Sequence, residues 1–392
     1  MKKIMIIVLS IVLAAVLIFG AMIFLGTRPI SKDDAIAAMG KMTEAQLGKK
    51  NITQAIVYVN SGEYEIDQHF AYGQMDGEPI DAKLPFHTAS VGKAFTATLI
   101  GTLIDEGKMS LDDLASAYLG DDILDGLFEY EGVDYSHEVT IAQLLSHTSG
   151  AADYFDDKTI GEKSMKELIV ENPDTFWTPN DLLDFSRNYQ KTVGKPGEKY
   201  HYSDTGYILL GLIIESVSGQ SFHAMLHERI FDPLEMDDTY LMFYSEPKNE
   251  KRPIADIWLG GVNIKDYQSL SIDWAGGGMI STADDLAKFV RSLNQYEIVS
   301  LKTLDSMYQF DNYKFINGIH YGYGYMEYHF GEFMPTLKSM PKYVGHMGVL
   351  GTQMFYDKST DTVYISSCGS TDAPSVSVQT MIKIISTLDR IE

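Results

Sequence analysis

In the stretch Phe86-His-Thr-Ala-Ser-Val-Gly-Lys-Ala-Phe-Thr-Ala-Thr-Leu-Ile-Gly101, a serine and a lysine stand three residues apart at the head of an uncharged, small-residue run. On a helix, residues i and i+3 share a face with Cβ atoms about 5–6 Å apart, so Ser90 and Lys93 can meet. A serine hydroxyl becomes a useful nucleophile when a neighbouring base takes its proton. A lysine serves as that base where burial disfavours the ammonium form, and the run from Ala94 carries no charge until Asp105. The N-terminus of a helix also favours negative charge developing on the serine oxygen. Ser-x-x-Lys recurs as Ser245-Glu-Pro-Lys248 and Ser339-Met-Pro-Lys342, each with an internal proline that argues against a regular helical turn. The plain alternative makes Ser90 a helix N-cap and Lys93 a surface side chain.

Two distant stretches offer further groups. Lys195-Pro-Gly-Glu-Lys-Tyr-His-Tyr-Ser-Asp-Thr-Gly-Tyr-Ile-Leu-Leu-Gly211 reads as a turn, a short extended run and a helix, with Tyr202 just before the helix. A tyrosine there could relay a proton between Ser90 and a leaving group, and neighbouring cations would lower its pKa. His346-Met-Gly348 lies in a strand-like run with Gly345, Gly348 and Gly351, and glycines in a strand mark close approach by a ligand or another chain segment. Taken singly, Tyr202 reads as packing and His346 as structural.

Taken together, Ser90-Val-Gly-Lys93, Tyr202-Ser-Asp204 and His346-Met-Gly348, in that order, resemble the serine β-lactamase and penicillin-binding-protein superfamily, in its class C β-lactamase, D-aminopeptidase and esterase branch. Leu144-Leu-Ser-His-Thr-Ser-Gly150, the Tyr-x-x-Leu-Gly helix after Tyr202, and Gly276-Gly-Gly-Met-Ile-Ser-Thr-Ala-Asp-Asp-Leu286 add to the resemblance, which runs from about residue 35 to the C-terminus. It implies an α/β, β-lactamase/transpeptidase-like fold, with an antiparallel sheet flanked by helices plus a helical domain. It implies that Ser90 attacks a carbonyl to form an acyl-enzyme, with Lys93 and Tyr202 sharing the general-base and general-acid work. The backbone N–H groups of Ser90 and Val349 would form the oxyanion hole, and Asp204, His346 and Gly348 would contact substrate. Water would then release the acyl group, and no metal or other cofactor is implied.

Two positions depart from the family pattern. Asp204 stands where asparagine is usual, and an ionised aspartate only accepts hydrogen bonds. It would either pair with Lys93, leaving Tyr202 as the base, or receive a substrate amine. His346 stands where lysine is usual and is mostly neutral near pH 7, which favours an ester, peptide or amide that lacks a required carboxylate. The expected function is a membrane-anchored, extracytoplasmic serine hydrolase acting on a small amide, D-amino-acid peptide or ester. A β-lactamase or D-Ala-D-Ala carboxypeptidase is the enzymatic alternative, and a penicillin-binding sensor that acylates without turnover is the rival of another class.

The elements that must position these groups follow from patterning. Residues 30–50 read as a charged helix, and Gln54 to Ile66 as two strands broken at Asn60-Ser-Gly62. Helices are expected from Ala89 to Glu106 with Gly107 as C-cap, from a capping box at Thr140-Ile-Ala-Gln143, from Thr205 to Ser218 ending at Gly219, and after Thr282. Strands are expected at Gly324–His329, Tyr343–Gly345, Thr352–Asp357 and Thr362–Ser367, and a terminal helix from Ser375 to Arg390. Strands at both ends around a helical middle give one hydrolase domain over residues 29–392, with its α/β part at about 45–110 and 270–392 and its helical part at about 111–269.

Ahead of it, Lys2 and Lys3 precede an apolar run from residue 4 to 26, long enough to span a bilayer. Residues 1–28 are thus expected to be a cytoplasmic tip and a single transmembrane signal anchor, with the body on the far side of the membrane. The single cysteine, Cys368, excludes an internal disulfide, and the net charge of −23 excludes a basic nucleic-acid footprint.

Overall fold

The computed structural model describes residues 28–392. The expected membrane anchor, residues 4–26, lies outside them. Among the described residues, no single helix is long and apolar enough to cross a membrane.

Nine strands form one sheet whose members come from the two ends of the described chain: β1 (Gln54–Ser61), β2 (Ile66–Met75), β3 (Glu78–Pro79), β4 (Tyr313–Ile316), β5 (Ile319–Tyr321), β6 (Met326–Tyr328), β7 (Tyr343–Met347), β8 (Gln353–Asp357) and β9 (Thr362–Ser367). Their order is β4-β5-β6-β7-β8-β9-β1-β2-β3, antiparallel throughout. The late strands make an antiparallel meander, and β9 closes it onto β1 with Tyr58 opposite Ile365.

β1 is buried on both faces, and its side chains alternate between two cores. Val57 and Val59 join Phe355, Tyr364, Met381 and Ile385 on one side, while Ile56 and Tyr58 join Met354, Ile365 and the helical bulk of the protein on the other. The first side is covered by α1 (Lys32–Glu44), whose Ser31 cap accepts from the Asp34 N–H, and by the C-terminal helix Pro374–Leu388.

On the second side lies α2 (Gly92–Asp105), buried without interruption from Gly92 to Leu103. A helix apolar all round belongs inside a protein. Its Phe95 stacks on Phe289 with ring centroids 3.7 Å apart. α3 (Asp204–Ser218) is nearly as buried and ends where Gly219 adopts φ 70°. α4 (Ala283–Asn294) starts at the Thr282 cap, and the Thr140–Gln143 capping box opens the helix Ile141–Leu145.

Three local expectations shift. β1 continues through Asn60 to Ser61, so the hairpin turn falls at residues 62–65. The stretch from Ala89 begins as a 3-10 turn, Ala89–Val91, before the α-helix proper. The edge hairpin β4–β5 is an element the patterning did not separate, although Asn317-Gly318 marks its turn and Gly318 has φ 84°.

Candidate active site

Ser90 sits at the corner between the short strand Phe86–His87 and α2, in the 3-10 turn. The residue before it, Ala89, has φ 46°, a left-handed conformation that strains a residue with a Cβ. The surroundings hold it there. His87 Nδ1 accepts the Ala89 N–H at 3.1 Å, the Thr88 N–H donates to Met279 O at 2.8 Å, and Thr88 Oγ1 donates to Gly277 O at 3.0 Å. Gly277 lies so close that a Cβ there would stand 2.3 Å from Ala89 O.

One turn on, the Lys93 side chain is fully buried. Its Nζ donates to Ser90 Oγ at 3.3 Å and to Gly276 O at 2.8 Å, and forms an ion pair with the Asp204 carboxylate. Nζ also lies 5.1 Å from the Tyr202 ring centroid and 5.2 Å from that of Tyr207. Asp204 is in the first turn of α3, where the helix dipole favours a negative charge. The ammonium and the carboxylate therefore compensate each other inside the protein, which a lone buried charge could not do.

Tyr202 enters from the run ahead of α3, stacked on His147 with centroids 4.1 Å apart and edge-on to Tyr321. Burial pushes its phenol well up, with the Asp204 charge adding, while a hydrogen bond with Ser90 pulls the other way. This corrects the expectation of a lowered phenol: Tyr202 keeps its proton near neutral pH. His147, which packs on Tyr202, was not singled out by patterning, although it stands in Leu144-Leu-Ser-His-Thr-Ser-Gly150. It is buried, held neutral chiefly by that burial, and its Nδ1 accepts the Ser203 N–H at 3.1 Å.

On β7 and the turn after it, Met347, Gly348, Val349 and Leu350 line a cavity together with Ser90, Tyr202 and Asp204. Gly348 packs on the Ser90 corner, where a Cβ would meet Thr88 O at 2.8 Å and Ser90 N at 3.2 Å. Neither the Ser90 nor the Val349 N–H is engaged by a backbone acceptor among the described residues.

His346, expected to contact substrate, is not among the residues that line the cavity. It is fully buried, its Nδ1 bonds Met347 O at 2.7 Å, and its Nε2 meets the Tyr321 hydroxyl at 3.0 Å. Burial first, then Lys93, holds it down at about 3. His346 pairs across the sheet with Met354, on the face that carries α2 and Lys93, and lies behind the cavity wall against Tyr321.

The cavity measures about 760 Å³. Much of its wall is apolar, including Phe155, Ile257, Leu259, Ile272, Phe315 and Met347, and its ionisable lining is Asp153, Asp156, Asp157, Asp204 and Asp273 with His87, His201 and Tyr202. Among the described residues no lysine or arginine lines it. Away from it, His320, His329 and Glu332 bring ligand-type atoms within 4.8 Å of one another. The two imidazoles there stack face to face, centroids 3.7 Å apart and 3° from parallel. One metal ion cannot lie in both ring planes in that arrangement.

Residues 42–372 match the family described as Beta-lactamase. Among curated relatives, Penicillin-binding protein 4* of Bacillus subtilis is 27% identical over 299 residues, covering 71% of this chain and 61% of that protein. Beta-lactamase of Escherichia coli K12 is 25% identical over 240 residues, covering 60% of this chain and 54% of that protein. The matched stretch is thus less than two thirds of the length of either relative. Among solved structures, the D-amino acid amidase of Ochrobactrum anthropi SV3 in complex with L-phenylalanine amide aligns at a TM-score of 0.72 and 21% identity, covering 91% of this chain and 99% of that one. The D-stereospecific amidohydrolase of a Streptomyces species aligns at 0.72 and 22%, covering 88% and 97%. These structures share the fold, and with the family match running through Ser90, Lys93, Tyr202 and Gly348, the chain belongs to the Beta-lactamase family.

Proposed function

We propose that the protein hydrolyses a small amide or ester through an acyl-enzyme on Ser90. The observation that carries this reading is the position of Lys93 Nζ, fixed between Ser90 Oγ, the Asp204 carboxylate and Gly276 O, buried behind the cavity wall that Ser90 and Asp204 line. An ammonium cannot accept a proton without giving one up. As the Ser90 oxygen bonds the substrate carbonyl carbon, its proton passes to Lys93 while Lys93 hands one to Asp204. Charge on the carbonyl oxygen is met by the Ser90 and Val349 N–H groups, donors of a kind worth about 10²–10³ in rate. The bond to the leaving group breaks as Tyr202 supplies it with a proton, and the Lys93–Asp204 pair restores that proton. Water then attacks the acyl carbon by the reverse sequence and frees Ser90.

The lining supports an amide or ester over a substrate with an obligatory carboxylate. Among the described residues no lysine or arginine lines the cavity, and His346, which stands where the resemblance expects lysine, is buried, neutral and bonded to the Tyr321 hydroxyl rather than in the lining. A shared fold with amidases agrees with this choice without deciding it, because one scaffold hosts many activities. With p-nitrophenyl butyrate and D-phenylalanine p-nitroanilide as substrates, the wild-type protein should turn over at least one, and Ser90→Ala should lower that rate by about 10³ or more. Turnover that survives Ser90→Ala, or none on either substrate, would count against the proposal.

A further inference from the structure

Asp273 is the acid of the cavity that the chemistry above leaves unused. The other four have partners: Asp204 pairs with Lys93, Asp156 with Lys166, and Asp157 with His201 at 2.8 Å. Asp153 accepts the N–H groups of Asp204 at 3.2 Å and Phe155 at 3.1 Å. The side chain that comes nearest the Asp273 carboxylate in an ion-pair geometry is the imidazole of His87, with Oδ2 3.6 Å from Nε2, beyond hydrogen-bond reach, while Lys93 and Asp204 act on it as neighbouring charges.

His87 is the second observation. It is 2% exposed, and its Nδ1 accepts the Ala89 N–H, so Nε2 carries the hydrogen. That buried Nε2–H has no acceptor among the described residues, whereas buried polar groups are nearly always paired. The unpaired donor and the unpaired carboxylate line the same cavity, one from the residue three before Ser90 and the other from the residue three before Gly276. About a quarter of the Asp273 side chain, 26%, is exposed, although the chain beside it is packed. The next residue, Trp274, is held at φ 25° with its indole against Phe222, centroids 5.2 Å apart, and over Gly211, where a Cβ would stand 2.6 Å from the ring. This strained corner presents Asp273 on one side and the Gly276 carbonyl that holds Lys93 on the other.

We propose that Asp273 and His87 form a recognition site for the ammonium-bearing end of the substrate, with the carboxylate holding the ammonium and the His87 Nε2–H donating to an adjacent oxygen. The substrate class is then an amino amide or amino ester with a free primary ammonium and a bulky apolar side chain, the latter against the Ile257, Leu259 and Ile272 wall. The absence of lysine and arginine from the lining and the net charge of −23 favour the same sign of ligand. The orientation of this substrate rests on the Ser90 reading, but its binding does not require turnover.

The test is calorimetric titration of the full chain carrying Ser90→Ala with phenylalanine amide, each enantiomer in turn, and with its neutral counterpart 3-phenylpropanamide. The amine should bind about tenfold or more tightly for at least one enantiomer, the order expected for a hydrogen bond to a charged group. Adding Asp273→Asn should bring the two ligands to similar affinity and leave 3-phenylpropanamide binding unchanged. Equal affinities before that substitution, a preference that survives it in a folded variant, or no binding of either amine enantiomer would overturn the proposal. The first comparison needs no change at Asp273, so it stands even where the second variant folds poorly. Binding as expected without Ser90-dependent turnover would sink the hydrolase reading alone. Turnover without amine preference would sink only the recognition site.

Discussion

Asp273 destabilises the fold in the form in which it would bind a cation. Burial, then the Asp204 charge, raises its carboxyl from 3.8 to about 7 against the opposing pull of Lys93. The groups facing it are His87, Lys93 and Asp204, and His87 is itself held at about 4 by burial. Between pH 4 and pH 7 the folded state keeps a proton on Asp273 that the unfolded chain has lost, so this group's contribution to stability falls as pH rises through that window. Above pH 7 the penalty is fully present, and an asparagine would not carry it. Asp273→Asn should therefore raise the melting temperature at pH 8, with the gain fading as pH drops toward 4. Thermal unfolding across that range checks it, and a pH-independent change would contradict the assignment.

At this scale the legible part of the site was the part encoded locally. Ser90 and Lys93 are one helical turn apart, and Tyr202 and Asp204 flank a recognisable helix start. Asp273 and His87 were not legible, because their meeting depends on Gly276–Gly278 crossing beneath the Ser90 corner. That His346 would be buried behind Tyr321 and not in the cavity lining was not legible, because its motif fixes a strand but not what packs over it.

The elements around Ser90 are spaced by glycines rather than by side chains. Gly348 brings β7 and its turn against Thr88 and Ser90, and Gly92 rests on Gly277, where a Cβ would stand 2.7 Å from the Gly277 Cα. A methyl group at position 348 has no room toward Thr88 O, so the turn carrying the Val349 N–H must move away from Ser90. Gly348→Ala should lower kcat by about 10² with a smaller change in KM, as expected when a donor to the developing oxyanion is misplaced. The stability loss should be about 1–3 kcal/mol, the usual range for overpacking. Steady-state kinetics with a melting curve separate the two effects, and an unchanged kcat in a folded protein would remove Val349 from the oxyanion hole.

Helix ends were readable because Thr140 and Thr282 at the starts and Gly219 at the end of α3 satisfy end groups that every helix leaves open. The β4–β5 hairpin was missed although its Asn317-Gly318 turn is a strong signal. Its strands are only four and three residues long, too short for alternation to separate them from a loop.

For the whole molecule, the sheet is assembled from strands at residues 54–79 and 313–367, with the helical stretch between them providing α3 and the Asp153–Asp157 side of the cavity. Ser90, Lys93 and His87 come from the first part of the chain, Tyr202 and Asp204 from the middle, and Asp273 and Gly348 from the later part. The site therefore exists only in the completed fold. Broad architecture was legible from the order of strand-like and helix-like segments, whereas the cavity and its sign of charge were not, because they depend on which side chains meet across that distance.

The central claim is that this assembly makes Ser90 a nucleophile that is acylated and then released. The most direct measurement is a rapid-quench reaction of the full chain with p-nitrophenyl butyrate, read by intact mass and then by peptide mapping. One butyryl group on Ser90 that forms and decays at rates consistent with turnover, and is absent from Ser90→Ala, is the predicted result. Turnover with the acyl group on another residue, or an unchanged rate in Ser90→Ala, would contradict the account.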